Sequence, residues 1–84
     1  MKIIKLLKTK ERLYETIIFN IDLTVLCPKE TFEDLSTLNF YLQSMQKKLN
    51  FNESLIIIHD KFNNSVEIFK NNGEIFLDDC KFNV

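Results

Sequence analysis

The sequence predicts an α+β protein in which a single helix packs on a largely antiparallel sheet, with the element order β-β-α-β-β-β. Apolar and polar residues alternate through Leu13–Cys27, which indicates a half-buried strand. Apolar residues recur at three- and four-residue spacing through 31–49, which is typical of an amphipathic helix. The only glycine, Gly73, lies between two apolar stretches and favours a hairpin. The 84 residues are expected to form one domain, 1–84.

The first two strands are predicted at 2–8 and Leu13–Cys27. The apolar residues of 2–8 also fit helical spacing, but the alternation that follows them favours a strand. In the long strand the odd-numbered face is mostly apolar, so we expect it to pack against the helix. The even-numbered face, which carries Ile18, Asn20 and Asp22, is then expected to be free for a partner.

The predicted helix spans 31–49. Pro28 is expected to end the preceding strand, because proline cannot donate a backbone hydrogen bond to a ladder. Thr31 is the predicted N-cap, since its hydroxyl can accept a hydrogen bond from a free backbone N–H of the first turn. Phe40 lies off the apolar stripe, so it is expected to be exposed, either as an isolated aromatic or as an anchor for a partner.

Three further strands are predicted in the C-terminal half, and the last two are expected to form a hairpin around the glycine. They are Leu55–Ile58, Val66–Lys70 and Glu74–Leu77. A two-residue turn would place Phe69 opposite Phe76. A three-residue loop would place Lys70 opposite Glu74, and it is favoured because opposite charges then face each other. The tail 78–84 either extends the last strand or frays. The order of hairpin, crossing helix and further strands resembles a β-grasp.

The composition argues against most cofactor chemistry. A nucleotide-binding loop needs several glycines and a zinc site needs four closely spaced ligands, whereas the chain has one glycine, two cysteines and one histidine. No cofactor and no metal are therefore expected. His59 is the only candidate for histidine-dependent catalysis, with Asp60 or Glu53 as its partner, as in a small ribonuclease-type toxin. Because adjacent strand residues point to opposite faces, we expect it to be an ordinary strand-end histidine.

The net charge is −1, but cations are concentrated near the start of the chain. Five cations and one carboxylate, Glu11, give residues 1–12 a local charge of +4. The cations are Lys2, Lys5, Lys8, Lys10 and Arg12. Solvated lysines on an edge strand are the favoured explanation, and contacts with phosphate groups are the alternative.

Cys27 and Cys80 form no CxxC motif and have no nearby histidine, so we expect reduced thiols rather than a metal site. No apolar run reaches the length of a signal peptide or a membrane span. A cytoplasmic location is therefore expected.

Together these features predict a small non-enzymatic protein-binding module. One helix covers only one face of a sheet, so surplus apolar surface is expected on the other. The sharpest form of this hypothesis is an inhibitor, an immunity protein or an anti-defence protein of a phage or mobile element. The alternative is a nucleic-acid-binding accessory protein that uses the basic segment Lys2–Arg12. A protein partner is expected, with a homodimer allowed, nucleic acid less favoured and no membrane. The candidate partner-binding residues are Ile18, Asn20, Asp22, Phe40, Glu67, Phe69, Glu74, Phe76, Asp78 and Asp79.

Overall fold

The computed structural model describes residues 1–82, and within them one α-helix packs on a five-stranded mixed sheet. The elements in chain order are β1 (Lys2–Lys8), β2 (Tyr14–Phe19), β3 (Val25–Phe32), α1 (Leu35–Leu49), β4 (Glu53–His59) and β5 (Ser65–Asn72), followed by a short 3-10 helix (Asp79–Phe82). The strands lie in the order β3-β2-β1-β4-β5, with β1 and β4 parallel and the other pairs antiparallel. The predicted fold class, α+β with one helix on a largely antiparallel sheet, is confirmed.

The predicted long strand Leu13–Cys27 is in fact two strands, β2 and β3, which a turn at 20–24 separates. Asp22 closes this turn, because its carboxylate accepts hydrogen bonds from the backbone N–H and the hydroxyl of Thr24, at 3.0 and 2.7 Å. The polar residues that were expected to form a strand face therefore form a turn. Three strands precede the helix and two follow it, so the order is β-β-β-α-β-β and the predicted β-grasp-like order is wrong.

The three hairpin turns, 9–13, 20–24 and 60–64, share one backbone geometry. In each, the first residue donates its N–H to the carbonyl of the fifth, and the fourth donates to the carbonyl of the first. The fourth residues are Arg12, Leu23 and Asn63, with φ of 66°, 71° and 68°. This is a type I turn followed by a left-handed residue, and it forms here without glycine.

Pro28 lies inside β3 and does not end a strand. Thr16 pairs with Glu30 and Ile18 with Cys27, so three steps along β3 match two along β2 and form a β-bulge. Since β3 is an edge strand, a residue without an N–H is tolerated there. The prediction that Pro28 closes the strand is therefore wrong.

The helix begins four residues later than predicted, and Thr31 belongs to β3. Asp34 is the N-cap, and its Oδ1 accepts a hydrogen bond of 2.8 Å from the backbone N–H of Thr37. Leu38 and Leu42 of the predicted apolar stripe are fully buried. The helix ends at Asn50, whose φ of 54° reverses the chain.

The predicted C-terminal hairpin is wrong in both registers, because β5 pairs with β4 and Lys70 forms its ion pair with Glu53 at 3.1 Å. Gly73, with φ of 89°, instead turns the chain away from the sheet edge. Residues 73–77, which we call the strap, run extended beside α1 and bury Ile75 and Leu77. The tail forms the 3-10 helix, and the predicted end of that tail, residues 83 and 84, lies outside the described residues.

Amide side chains of α1 bind the backbone of the strap. Asn39 donates to the carbonyl of Leu77 and accepts from its N–H, both at 2.8 Å. Gln46 accepts from the N–H of Ile75 at 2.9 Å and donates to the carbonyl of Gly73 at 2.9 Å. Gln43 donates to the carbonyl of Ile75 at 2.8 Å. The helix thus supplies the hydrogen bonds that a neighbouring strand would otherwise supply.

The core lies between the sheet on one side and α1, the strap and the 3-10 helix on the other. Its buried apolar residues are Ile4, Leu6, Tyr14, Ile18, Leu38, Leu42, Ile56, Ile58, Ile75, Leu77 and Phe82. In β2 the even-numbered residues Tyr14, Thr16 and Ile18 face the helix, and the odd-numbered residues face away. The prediction that the odd-numbered face packs on the helix is therefore wrong. Both faces of β2 are apolar enough to be a core, and the helix covers the even one.

Candidate protein-binding surfaces

The sheet face opposite α1, which we call the open face, carries apolar side chains from all five strands. Its apolar residues are Ile3 and Leu7 of β1, Ile17 and Phe19 of β2, Leu55 and Ile57 of β4 and Ile68 of β5. Val25 of β3 lies opposite Phe19 at the edge. The described residues that fill the core all pack against the other face. Ile68 and Val25 remain 60% and 58% exposed, and the others are half-buried by their neighbours.

Two polar residues of the sheet, Thr16 and Ser54, lie among the apolar residues of the covered face. A sheet with one solvated face normally turns its polar residues outward. Here Thr16 and Ser54 are buried on the helix side, and neither hydroxyl has a hydrogen-bond partner among the described residues. Their chain neighbours Ile17 and Leu55 point outward. Each of these two hydroxyl groups is therefore a local cost of the fold, because a buried hydroxyl without a partner is destabilising.

Lys5 lies at the centre of the open face, between Ile17 of β2 and Ile57 of β4. The other charges of this region pair with each other: Glu15 with Lys29 at 3.9 Å, and Glu53 with Lys70 at 3.1 Å. Among the described residues Lys5 forms no salt bridge. A recess of about 280 Å³ lies beside it, and its lining includes Lys5, Leu7, Glu15, Ile17, Lys29 and Asn63. The open face is therefore apolar with a single available cation at its middle.

His59 lies at the end of β4, opposite Leu7 of β1. Burial, followed by the positive charge of Lys5, lowers the pKa of this imidazole below its usual value. The carboxylate of Asp60 is engaged in its own turn, where it accepts hydrogen bonds of 2.9 Å from the N–H groups of Phe62 and Asn64. Glu53 is six residues away along β4, about 20 Å. Neither carboxylate is therefore positioned to orient His59 as a catalytic base.

A second surface, which we call the aromatic groove, lies between α1 and the strap. Phe40 of the helix and Phe76 of the strap both line it, and they are 71% and 73% exposed. The groove has a volume of about 510 Å³, and its lining residues are Leu35, Ser36, Asn39, Phe40, Gln43, Phe76, Leu77, Asp78 and Asp79. The fold thus brings Phe40 together with three other predicted partner-binding residues, Phe76, Asp78 and Asp79, which lie far from it in the sequence.

The other predicted partner-binding residues lie elsewhere. Ile18 is fully buried beneath the helix, so the expectation that it is free for a partner is wrong. Asn20 and Asp22 are occupied in the β2–β3 turn, where Asn20 also accepts a hydrogen bond of 3.1 Å from the Lys2 ammonium. Glu74 is exposed on the strap but lines a different recess.

Glu67 and Phe69 of β5 point to the helix side rather than to the open face, because they pair with Ile58 and Ile56. Lys81 covers both of them. Its ammonium lies 3.3 Å from a Glu67 carboxylate oxygen and 4.5 Å from the centre of the Phe69 ring. These two predicted contact residues therefore hold the C-terminal segment in place.

The basic run does not form one surface, because β1 is the central strand and not an edge strand. Lys2 reaches Asn20 at one end of the sheet, while Lys8 lies 3.7 Å from Asp79 at the other. Lys5 is on the open face. Lys8, Lys10, Arg12 and Lys61 share a recess of about 420 Å³ at one end of the molecule, and Asp79 also lines it. Three of the five predicted phosphate contacts, Lys8, Lys10 and Arg12, thus share one recess, whereas Lys2 and Lys5 lie elsewhere.

Cys27 and Cys80 are both free thiols. Cys27 is half-buried beneath the helix, with its sulfur 3.9 Å from that of Met45, and Cys80 is exposed. Within residues 1–82, no group of three or more His, Cys, Asp or Glu side chains is arranged to hold a metal ion. No helix in the same range is long and apolar enough to cross a membrane.

No protein family, curated protein or solved structure was found to match this chain.

Proposed function

We propose that this chain is a non-enzymatic protein-binding module whose open face is covered by a different protein. The observation that carries this proposal is a set of apolar side chains on a sheet face that no described element covers. Ile17 and Leu55 face outward on this side, together with Ile68, which is 60% exposed. Retaining apolar side chains on an uncovered face has no benefit for the isolated domain, and it is explained if a partner buries them.

The size of the open face suits one protein interface. Five strands spaced about 4.8 Å apart, each about seven residues long at about 3.3 Å per residue, make a face roughly 24 Å by 23 Å. Its projection is thus roughly 550 Å², and projecting side chains expose more than that. A standard interface buries about 800 Å² on each partner. One partner surface is therefore enough to cover the face.

The charge of the face indicates what the partner presents. Lys5 is the central cation and has no ion pair among the described residues, so burial against a purely apolar surface would be costly. A symmetric dimer centred on this face would bring Lys5 against its own copy, since a two-fold interface places the same patch on both subunits. A different protein that offers apolar side chains around a carboxylate fits better.

Binding of this kind needs no chemistry from the chain, which agrees with the placement of Asp60 and Glu53 away from a catalytic geometry around His59. A small domain that covers a functional surface of another protein acts by blocking it. An inhibitor, an immunity protein or an anti-defence protein of a phage or mobile element is the proposed class. Nucleic-acid binding is the less favoured function, because the basic residues spread over both faces and Lys8 is already paired with Asp79.

The test compares two open-face variants with one control in affinity purification from a lysate of the native host, read out by quantitative mass spectrometry. Lys5→Glu reverses the central charge, and Ile68→Ser removes an apolar side chain that is 60% exposed. Phe62→Ser is the control, because Phe62 is equally apolar and 64% exposed but lies in the β4–β5 turn. Circular dichroism verifies that all three variants fold.

The proposal expects one stoichiometric partner that the wild type and Phe62→Ser recover and that both open-face variants lose. A protein that all four forms recover equally would show that the open face is not the binding surface. Light scattering on the purified chain gives the second readout. A dimer that Ile68→Ser dissociates would mean that the open face binds a second copy, and the proposal of a different protein would then be wrong.

A further inference from the structure

The aromatic groove has features of a binding site that the open face does not share. Phe40 and Phe76 are the two most exposed phenylalanines of the described chain, at 71% and 73%, and they line the same recess. They come from different elements, a helix and the strap, so their proximity depends on the fold. Exposed large aromatic residues that cluster are typical of interaction sites, whereas single ones are common on any surface.

The negative charge at one end of the groove favours a positively charged occupant. Asp78 and Asp79 both line the recess. One Asp78 oxygen accepts a hydrogen bond of 3.1 Å from the N–H of Cys80, which leaves its other oxygen available. Asp79 already contacts Lys8 at 3.7 Å and Tyr14 at 3.1 Å, although its side chain is still 64% exposed. Asp78 is therefore the principal free carboxylate of the groove.

We propose that the aromatic groove binds a basic peptide segment, in which an arginine lies against Phe40 or Phe76 and pairs with Asp78. A guanidinium group stacks on an aromatic face and also donates two parallel hydrogen bonds to a carboxylate. Arginine therefore uses both features of the groove at once. Apolar residues beside that arginine contact the remaining aromatic ring and Leu35. This site goes beyond the proposed function, because the groove lies on the helix side of the sheet and the open face on the other.

The probe is a short fluorescein-labelled peptide of alternating arginine and leucine, titrated with the full chain and followed by fluorescence anisotropy. Two peptides of the same length serve as comparisons. Lysine in place of arginine tests the guanidinium geometry, and glutamate in place of arginine tests the sign of the charge. The arginine peptide is expected to bind most tightly, the lysine peptide more weakly, and the glutamate peptide not at all. Affinity for the arginine peptide should fall as salt rises, since the site is exposed.

Phe40→Ala and Phe76→Ala are each expected to weaken the arginine peptide about two- to fivefold, which corresponds to an exposed cation–aromatic contact. Both side chains are mostly exposed, so neither truncation should disturb folding. Asp78→Asn should also weaken binding and reduce its salt dependence. Phe62→Ala is the matched control, because this phenylalanine is 64% exposed in the β4–β5 turn, away from the groove lining.

Three results would overturn the proposal: equal binding of the glutamate peptide, an effect of Phe62→Ala as large as that of Phe40→Ala, or no binding of the arginine peptide. A dimer of the chain that Phe40→Ala dissociates would also overturn it, because the groove would then accept a second copy. Lys5→Glu separates this test from the previous one. It should abolish capture of the open-face partner and leave affinity for the arginine peptide unchanged.

Discussion

The two faces of the sheet are built from neighbouring residues of the same strands, yet only one of them is a core. Ile4, Ile18 and Ile56 are fully buried beneath the helix and the strap. Adjacent isoleucines or leucines, such as Ile3 and Ile17, remain partly exposed on the open face. These isoleucines are alike, but the open face also carries Lys5, Glu15, Glu53 and Lys70, so the two faces differ in charge as well as in cover.

What distinguishes the two faces is the set of elements that covers them. On the helix side the sheet is covered by α1, the strap and the 3-10 helix. The centre of the Phe82 ring in the 3-10 helix lies 5.1 Å from the centre of the Tyr14 ring. The helix side also contains two buried hydroxyl groups, those of Thr16 and Ser54, that have no hydrogen-bond partner within residues 1–82. The open face thus carries apolar side chains that no described element covers, which is expected if a partner completes it.

The largest expected effect comes from truncating adjacent isoleucines on opposite faces. Ile18→Ala should lower the free energy of unfolding by about 2–5 kcal/mol, because it leaves a cavity in a packed core. Ile17→Ala should cost only about 1 kcal/mol, since this half-buried side chain loses less buried area and leaves no enclosed cavity. Urea unfolding followed by circular dichroism measures both. Equal losses would mean that the open face is covered in the free protein, and the loss for Ile17→Ala would then depend on protein concentration.

The next effect tests how the strap covers the helix side. Asn39→Ala removes the two hydrogen bonds to the backbone of Leu77 and leaves that buried N–H and carbonyl without partners. We expect a loss of about 1–3 kcal/mol. Gln43→Ala is the matched control, because it removes one bond from a half-buried amide and should cost less. Amide hydrogen exchange should become faster at Leu77 in Asn39→Ala, and unchanged exchange there would contradict this role.

The sequence was sufficient to predict that one helix packs on one face of the sheet, but not which face it covers. The spacing of Leu38 and Leu42 predicts one apolar stripe, and both are buried. The alternation in β2 fails to identify the core face because Ile17 and Ile18 are equally apolar and the polar residue on the buried side is Thr16. Alternation with a period of two predicts that the two faces of a strand differ. It identifies the buried face only when the other face is clearly polar.

The strap and the groove could not be predicted because both depend on a helix and a segment that is remote from it in sequence. Asn39, Gln43 and Gln46 lie three and four residues apart, so they form one row on the helix. In the sequence, this row of amide side chains indicates a helix face that can bind a backbone segment, but amides that face solvent have the same spacing. Phe40 and Phe76 were each predicted as contact residues, and only the strap brings them to one recess.

A smaller effect tests the polar group on the covered face. Thr16→Val removes a buried hydroxyl that has no partner in the described part of the chain and keeps the shape of the side chain, so stability should rise by about 1 kcal/mol. Thr24→Val makes the same chemical change where the hydroxyl donates to Asp22 at 2.7 Å, and it should lower stability. Thermal unfolding of the two variants beside the wild type gives the signs directly. A loss of stability in Thr16→Val would show that this hydroxyl is satisfied in solution.

The smallest effect concerns the charge state of the open face. Burial and then Lys5 lower the pKa of His59 below the unfolded value of 6.5. The unfolded chain therefore binds the proton more readily, so stability falls as pH decreases below 6.5 toward the folded pKa. The lowered pKa values of Asp22, Asp34 and Asp60 contribute a separate loss as pH falls below 3.8.

Since His59 is the only histidine, its ring signals in a proton NMR titration report this pKa without ambiguity. Lys5→Gln should raise the pKa toward 6.5, because it removes the nearby positive charge. Lys61→Gln is the control, since Lys61 is closer in sequence but is not among the groups that shift His59. A wild-type pKa at or above 6.5 would mean that His59 is as solvated as in an unfolded chain.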